Sequence, residues 1–308
     1  MRCSVVIPTY NREDLLRHTL DSLARQTLPA DQFEVLIGDD GSSDGTKAMV
    51  DGFRDRLNLR YFFQEDLGHR AAQARNLGIA KASAEITVLM DAGVLAHSRF
   101  LTEHLATHAS ADVPLAVCGY VYCFNLDNED AILIMKAIDF DDPDGTIAKL
   151  KRTGQYLDVR EIFYGLYGDD FADLPAPWLN YWTCNVSART EQLRAVGMFD
   201  ENFRRWGGED LDLGYRLHRD GARFVLNRDA AAIHVPHPKS FDGNNDQAAE
   251  NYRYMARKYG TPIIDLLPRI GELNFFELNN IIRELGLPQC NDFVAAQGYQ
   301  RHQGQMSG

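Results

Sequence analysis

The sequence predicts an α/β fold built on a mainly parallel central sheet flanked by helices. Short apolar runs recur along the first hundred residues, helical stretches separate them, and polar residues stand where the runs end. Strands and helices alternating at this spacing need crossover connections, which cover both faces of a parallel sheet. Ligands of such sheets sit at the carboxyl ends of the strands.

Cys3 to Ile7 reads as a strand closed by Pro8, and Asn11 is placed to cap a helix with Leu15, Leu16, Leu20 and Leu23 on one face. Phe33 to Ile37 is a second strand, followed by a turn rich in Asp, Gly and Ser, a helix through Met49, Val50 and Phe53, and a strand from Leu59 to Phe63. A helix from Ala71 to Ala82 then leads into "ITVLMD", Ile86 to Asp91, the most apolar strand of the set. Its small residues Ala71, Ala72, Ala74 and Ala80 allow close approach to its neighbours.

The character changes after about residue 110. "LAVCGYVYCF" reads as a strand, whereas 124–177 is an insert of mixed character, acidic at "NLDNED" and "DFDDPDG", with helices expected at Ala131 to Ala137 and Leu157 to Tyr164. Tyr156, Phe163, Tyr164, Tyr167 and Phe171 read chiefly as core, with a ligand-facing role as the alternative. "WLNYWTCNVSAR" reads as a strand feeding a helix capped by Thr190. "RRWGGEDLDLGYRLHRDG" reads as a glycine turn entering an amphipathic helix, and "ARFVLN" and "AAIHV" as two strands. Gln247 to Lys258 is helical, and "ELNFFELNNIIRELG" is an amphipathic helix offering Leu273, Phe276, Ile281 and Leu285. The implied division is 1–110, 111–240 with its insert, a helical region 241–290 and a frayed tail 291–308.

A chain of 308 residues with 45% hydrophobic residues is neither disordered nor fibrous. Its 32 basic and 44 acidic residues give a net charge of -12, which disfavours nucleic acid as a partner. A diphosphate ligand would have to be met by local donors or a metal. No apolar run reaches about 18 residues and the amino terminus turns polar too early for a signal peptide, so a soluble, cytoplasmic protein is expected. Five cysteines without a CxxC pair fit a reducing compartment better than disulfides or zinc.

Several strand ends carry chemistry. In "LIGDDGSSDGT", Asp39, Asp40 and Ser42 either make turn hydrogen bonds, with Asp44 capping the next helix, or offer a carboxylate to a uracil or ribose. Arg75 is either a surface charge or a cation for a diphosphate. Asp91 ends a buried strand, where a carboxylate is costly unless paired or bound to a cation, and this favours a ligand over a turn cap. His234 closes "AAIHV" as either a metal ligand or a satisfied core histidine. Glu209, Asp210 and Asp212 occupy a first helical turn, where acids also serve simply as caps.

Taken in order, "SVVIPTYNR", "DDGSSDGT", "ARNLGIAKA", "LMDAG", "NVSAR", "GGEDLDLGYRL" and His234 resemble a family 2 glycosyltransferase of the GT-A fold, with its Rossmann-like sheet, from about Ser4 to His237 outside the insert. The acidic helix resembles the carboxyl-terminal motif shared with galactosyltransferase-like enzymes. The resemblance implies an inverting hexosyltransferase that uses a nucleotide diphosphate sugar, expected to be UDP-linked, and a saccharide or small-molecule acceptor, with a homodimer as an option. It places Pro8, Thr9, Tyr10 and Asp40 at the nucleoside, Arg75 and Asp91 at the nucleotide, and Mn2+ or Mg2+ on Asp91 and His234 through the diphosphate. Asp210 becomes the general base, Glu209 supports it, and Trp206, Gly208, Glu209 and Asp212 line the acceptor side. One departure stands out: the family's Asp-X-Asp is here "DAG", Asp91, Ala92 and Gly93. A nucleotidyltransferase and a noncatalytic sugar-binding or partner protein on the same fold are the alternatives.

Overall fold

The computed structural model describes residues 1–125, 128, 130–238 and 241–296. Strands and helices alternate as β1 (Cys3–Thr9), α1 (Glu13–Leu23), β2 (Phe33–Asp39), α2 (Thr46–Asp51), β3 (Leu59–Phe63), α3 (Ala71–Lys81), β4 (Ile86–Met90), β5 (Val94–Ala96) and α4 (Phe100–Ala109). The second half adds β6 (Leu115–Tyr122), α5 (Ala131–Ala137), α6 (Pro143–Thr153), α7 (Glu161–Tyr167), β7 (Asn185–Arg189), α8 (Thr190–Ala195), α9 (Glu209–Arg219), β8 (Arg223–His234), α10 (Phe241–Tyr259) and α11 (Leu278–Glu284).

All eight strands join one sheet in the order β3-β2-β1-β4-β7-β6-β8-β5. The β3-β2-β1-β4 part is parallel throughout. Strand β7 runs against both β4 and β6, and β8 runs parallel to β6, so β6 and β8 again point the same way as β4. The carboxyl ends of β1, β2, β4 and β8 therefore share one edge, where Thr9, Asp39, Asp91 and His234 stand.

Period-two alternation divides the core between the two faces. Val6, Leu36 and Leu89 pack with α3, α8 and α9 on one face. Val5, Ile37 and Val88 pack with α1, α2 and α4 on the other. Helix α3 lies as close to the sheet as its alanines imply. A Cβ on Gly38 would sit 2.0 Å from the Ala74 carbonyl oxygen, and one on Gly78 would sit 2.6 Å from Val6 Cγ1. Only glycine lets these backbones approach so closely.

The insert is tied to the sheet by a fully buried pair, Arg160 Nη2 to Asp158 Oδ2 at 2.7 Å. Asp158 also accepts from the Val121 amide at 2.8 Å, and Arg160 donates to the carbonyls of Asn180 and Gly119 at 3.0 and 2.9 Å. Phe163, Tyr164 and Phe171 are core, while Tyr156 and Tyr167 are partly buried against it.

Local expectations need correcting at several points. Asn11 does not cap α1. It adopts a positive φ of 48° and its Oδ1 accepts from the Ser43 amide at 2.8 Å, while Asp44, across the turn, accepts from the Glu13 amide. Thr190 does not cap α8 either, because its hydroxyl is buried against that of Thr87 at 2.7 Å. The strand expected from Trp178 begins only at Asn185, after a 3-10 turn over Pro177–Asn180. "ARFVLN" and "AAIHV" form the single strand β8, with a register irregularity opposite Gly119 and Val121. The carboxyl-terminal amphipathic helix shrinks to a 3-10 turn and the short α11, and Leu285 is exposed. Of the tail, 297–308 lies outside the described residues. The five cysteines are free and buried.

Candidate active site

Burial, glycine turns and strand direction bring Arg75, Asp91, Glu209 and Asp210 together. Arg75, from α3, is almost fully buried and bridges two carboxylates, donating to Asp91 Oδ1 at 2.9 Å and to Glu209 Oε1 at 3.2 Å. Its guanidinium lies 5.2 Å from the centre of the Phe199 ring. Burial works against its charge, yet Asp91 and Glu209 raise its pKa above the ordinary arginine value. Arg75 is thus the joint between the end of β4 and the start of α9. Burial lowers the pKa of Arg12, which follows the "PTYN" turn, while the Asp91 charge opposes that shift.

Gly207 and Gly208, with φ of 87° and 89°, turn the chain into α9. A Cβ at Gly208 would press on Asn251 and Phe203 at 3.3 and 3.4 Å, so this glycine fits beneath neighbouring side chains as well as turning the chain. Asn251 of α10 donates its amide to the carbonyls of Arg205, Trp206 and Gly207 at 3.1, 3.3 and 2.6 Å. Trp206 is 47% exposed, so it is no part of the core.

The three acids of α9 have different surroundings. Among the described residues, Asp210 Oδ1 accepts only from the adjacent Leu211 amide, at 2.9 Å. Burial, then the charge of Glu209, pushes its pKa up to about 7, against the opposing pull of Arg75. Glu209 Oε2 is buried without a hydrogen-bond partner among the described residues, as are Arg75 Nε and Thr9 Oγ1. Asp212, expected on the acceptor side, is instead fully buried. It binds Arg216 at 2.7 Å, Lys258 at 2.7 Å and the Tyr259 hydroxyl at 2.6 Å, so it fastens α9 to α10 and cannot touch an acceptor.

On the β1–β2 side, Asp39 is consumed by its turn, accepting from the Gly41 and Ser42 amides at 3.0 and 2.7 Å and from the Tyr61 hydroxyl at 2.6 Å. Asp40 instead reaches the start of α3, accepting from the Arg70 amide and the Gln64 side chain, both at 2.6 Å. Pro8 lies in β1 opposite Gly38, and Tyr10 is exposed with its hydroxyl on Asp66 at 2.8 Å.

His234 pairs with Val94 across β5 and β8, and the Val235 amide donates to the Gly93 carbonyl at 2.8 Å. The Asp91 turn and the end of β8 are therefore stitched together. His234 stacks near Phe124, at 4.8 Å between ring centres, and Phe124 lies 5.4 Å from Trp182. Among the described residues no three His, Cys, Asp or Glu side chains gather as a metal cage. One carboxylate, with Oδ1 on Arg75 and a side chain about a third exposed, and one imidazole suit an ion that draws its remaining ligands from a diphosphate and water.

Sequence reasoning missed Tyr252. Its phenol is raised above the ordinary tyrosine value by burial and by the charges of Asp210 and Glu209. It missed Phe124 and Trp182 as the aromatic flank of His234. Tyr252 comes from α10, Phe124 from the start of the insert and Trp182 from the turn before β7, and no spacing ties them to one another.

A model of glycosyl transferase family 2 matches residues 4–161, half of the chain. The chain belongs to glycosyl transferase family 2. A second model, the N-terminal domain of galactosyltransferase, matches 169–238 and takes in Trp206 to Asp212 and His234. Validoxylamine A glucosyltransferase of Streptomyces hygroscopicus subsp. limoneus is 39% identical over 267 residues, 87% of this chain. The chain spans 58% of the length of that relative. Among solved structures, S. aureus TarS 1-349 in complex with UDP-GlcNAc has a TM-score of 0.64 at 19% identity, over 84% of this chain and 66% of that one. The mannosyltransferase PcManGT from Pyrobaculum calidifontis, in complex with GDP-Man and Mn2+, has a TM-score of 0.60 at 19% identity, over 97% and 80%. The fold is GT-A, as expected for family 2.

Proposed function

We propose that this family 2 chain is an inverting glycosyltransferase that moves a hexosyl group from a nucleotide diphosphate sugar, UDP-linked in the first instance, to a hydroxyl acceptor. The observation that carries the reading is the Asp91–Arg75–Glu209 bridge with Asp210 beside it: a buried cation at the strand ends, adjoining a carboxyl group whose proton affinity is tuned to neutral pH. The names of the similar proteins, a glucosyltransferase and enzymes solved with UDP-GlcNAc or GDP-Man, point the same way.

In the proposed reaction the acceptor oxygen attacks the anomeric carbon from the face opposite the diphosphate. A carbon–oxygen bond forms to the acceptor as the bond to the diphosphate breaks, and Asp210 receives the acceptor proton. Arg75 holds positive charge near the departing diphosphate, and Trp206 offers a flat wall for a sugar ring. A divalent ion held by Asp91 and His234 would neutralise charge on the leaving diphosphate. Thr9 Oγ1 and Asp40 lie where a nucleoside would be bound. Five buried thiols suit a reducing compartment.

Thermal shift with UDP-, GDP- and dTDP-sugars, with and without Mn2+, followed by assay of nucleotide release, tests the reading. Stabilisation by a UDP-sugar, enhanced by Mn2+ and accompanied by turnover, is expected. Binding without turnover would favour the sugar-binding alternative, and no response to any nucleotide sugar would overturn both.

A further inference from the structure

A cavity of about 360 Å³ adjoins the loop that carries Trp206. Asn202, Arg204 and Arg205 line one side, and Arg253, Tyr254 and Arg257 of α10 line the other. Four arginines thus face a space whose only acidic lining residue, among those described, is Glu250, and Glu250 is taken by an ion pair with Arg205. Among the described residues Arg204, Arg253 and Arg257 make no ion pair. The neighbouring Lys258 is held by Asp200 and Asp212.

Nothing in the fold accounts for this arrangement. Arg253 and Arg257 are one helical turn apart, where like charges repel. The chain as a whole carries a net charge of -12, so uncompensated guanidinium groups around one hollow are a local exception. Guanidinium forks match phosphate and carboxylate oxygens in pairs. The position is equally informative. Asn251, another lining residue, holds the carbonyls of Arg205, Trp206 and Gly207, and that strand of loop runs directly into Glu209 and Asp210. Tyr252, between Asn251 and Arg253, feels the charges of both acids.

We propose that this cavity is an acceptor subsite for an anionic group, phosphate or carboxylate, on the substrate whose hydroxyl Asp210 deprotonates. The inference rests on the glycosyltransferase reading and supplies what that reading lacks, the chemical class of the acceptor. The anion anchors one end of the acceptor on Arg204, Arg253 and Arg257, and Trp206 guides the remainder toward Asp210.

The test is calorimetric titration of the full chain, saturated with UDP so that the diphosphate region is filled, with glucose 6-phosphate, glucuronate and glucose as probes. At least one anionic probe should bind at least about tenfold more tightly than glucose, a difference of about 1.4 kcal/mol. The stronger of the two identifies phosphate or carboxylate as the preferred group. The double variant R253Q/R257Q alters two exposed side chains, so it should keep its UDP affinity and melting temperature while losing the anion preference. Anions that bind no better than glucose, or a preference that survives in the double variant, would overturn the subsite and leave the glycosyltransferase reading standing. Failure of the wild-type chain to bind UDP would bring down that reading and the subsite with it.

Discussion

Asp210 and Asp212 lie two residues apart in the first turn of one helix, yet their surroundings are opposites. Asp212 is saturated by Arg216, Lys258 and Tyr259, and its charge is spent on holding α9 against α10. Asp210 has one backbone donor and a like charge next to it, and its proton affinity rises until ionisation falls near neutrality. The difference arises from the face each side chain presents. One points into the helix pair and the other toward the strand ends. A carboxylate with every lone pair occupied is a poor base, whereas one left undersatisfied in a partly buried site is a good one.

Substitutions at these two positions should separate along that line. Asp210→Asn keeps size and hydrogen-bonding reach but removes the base, so transfer should fall by at least about 10²-fold while donor affinity holds. Single-turnover kinetics with donor binding measured in parallel would check this. Retention of more than about a tenth of wild-type turnover would move the base to Glu209. Asp212→Ala should act on the fold instead. It strips a buried partner from Arg216 and Lys258 and should cost about 3 kcal/mol of unfolding free energy in urea titration. Its remaining folded molecules should turn over far better than those of Asp210→Asn.

The rate with wild-type chain should climb about tenfold per pH unit below the Asp210 pKa of about 7 and level off above it. A profile flat from pH 5.5 to 8 would contradict the assignment. Excess EDTA should lower transfer by about tenfold or more, through loss of the ion that Asp91 and His234 are proposed to share. Full activity in chelator would remove the ion from the scheme. A further effect concerns stability. Because the folded pKa of Asp210 is raised, the folded chain holds a proton that the unfolded chain has lost between about pH 4 and 7, so stability declines across that window and stays low above it. Asp210→Asn should remove that decline and melt higher than wild type at pH 8.

Much of the frame was legible because it rests on local pattern. Short apolar runs closed by polar residues marked β1, β2 and β4, and the small residues of α3 announced its close contact with the sheet. The polar ends of the runs pointed to Asp40, Asp91 and His234. Partnership was not legible. No spacing rule reveals that Arg75 reaches Glu209 across 134 residues of chain, or that Asp212 would be claimed by α10. Local cap chemistry also misled, since Asn11 and Thr190 found better partners across the fold than in the helices beside them. Phe124 of the insert, Trp182 ahead of β7 and Tyr252 of α10 take their places through packing that sequence periodicity does not encode.

The five buried thiols give the molecule a set of internal clocks. Burial raises the pKa of each, Cys3, Cys118 and Cys123 to about 12, so the folded chain offers almost no thiolate to an alkylating reagent at neutral pH. Each cysteine can react only when its own surroundings open. Cys3 and Cys118 lie in the sheet, in β1 and β6, whereas Cys290 lies beyond α11 near the end of the described chain. Timed alkylation read by mass spectrometry would therefore rank the opening of the carboxyl-terminal packing against that of the sheet, with Cys290 labelled first and the strand cysteines last.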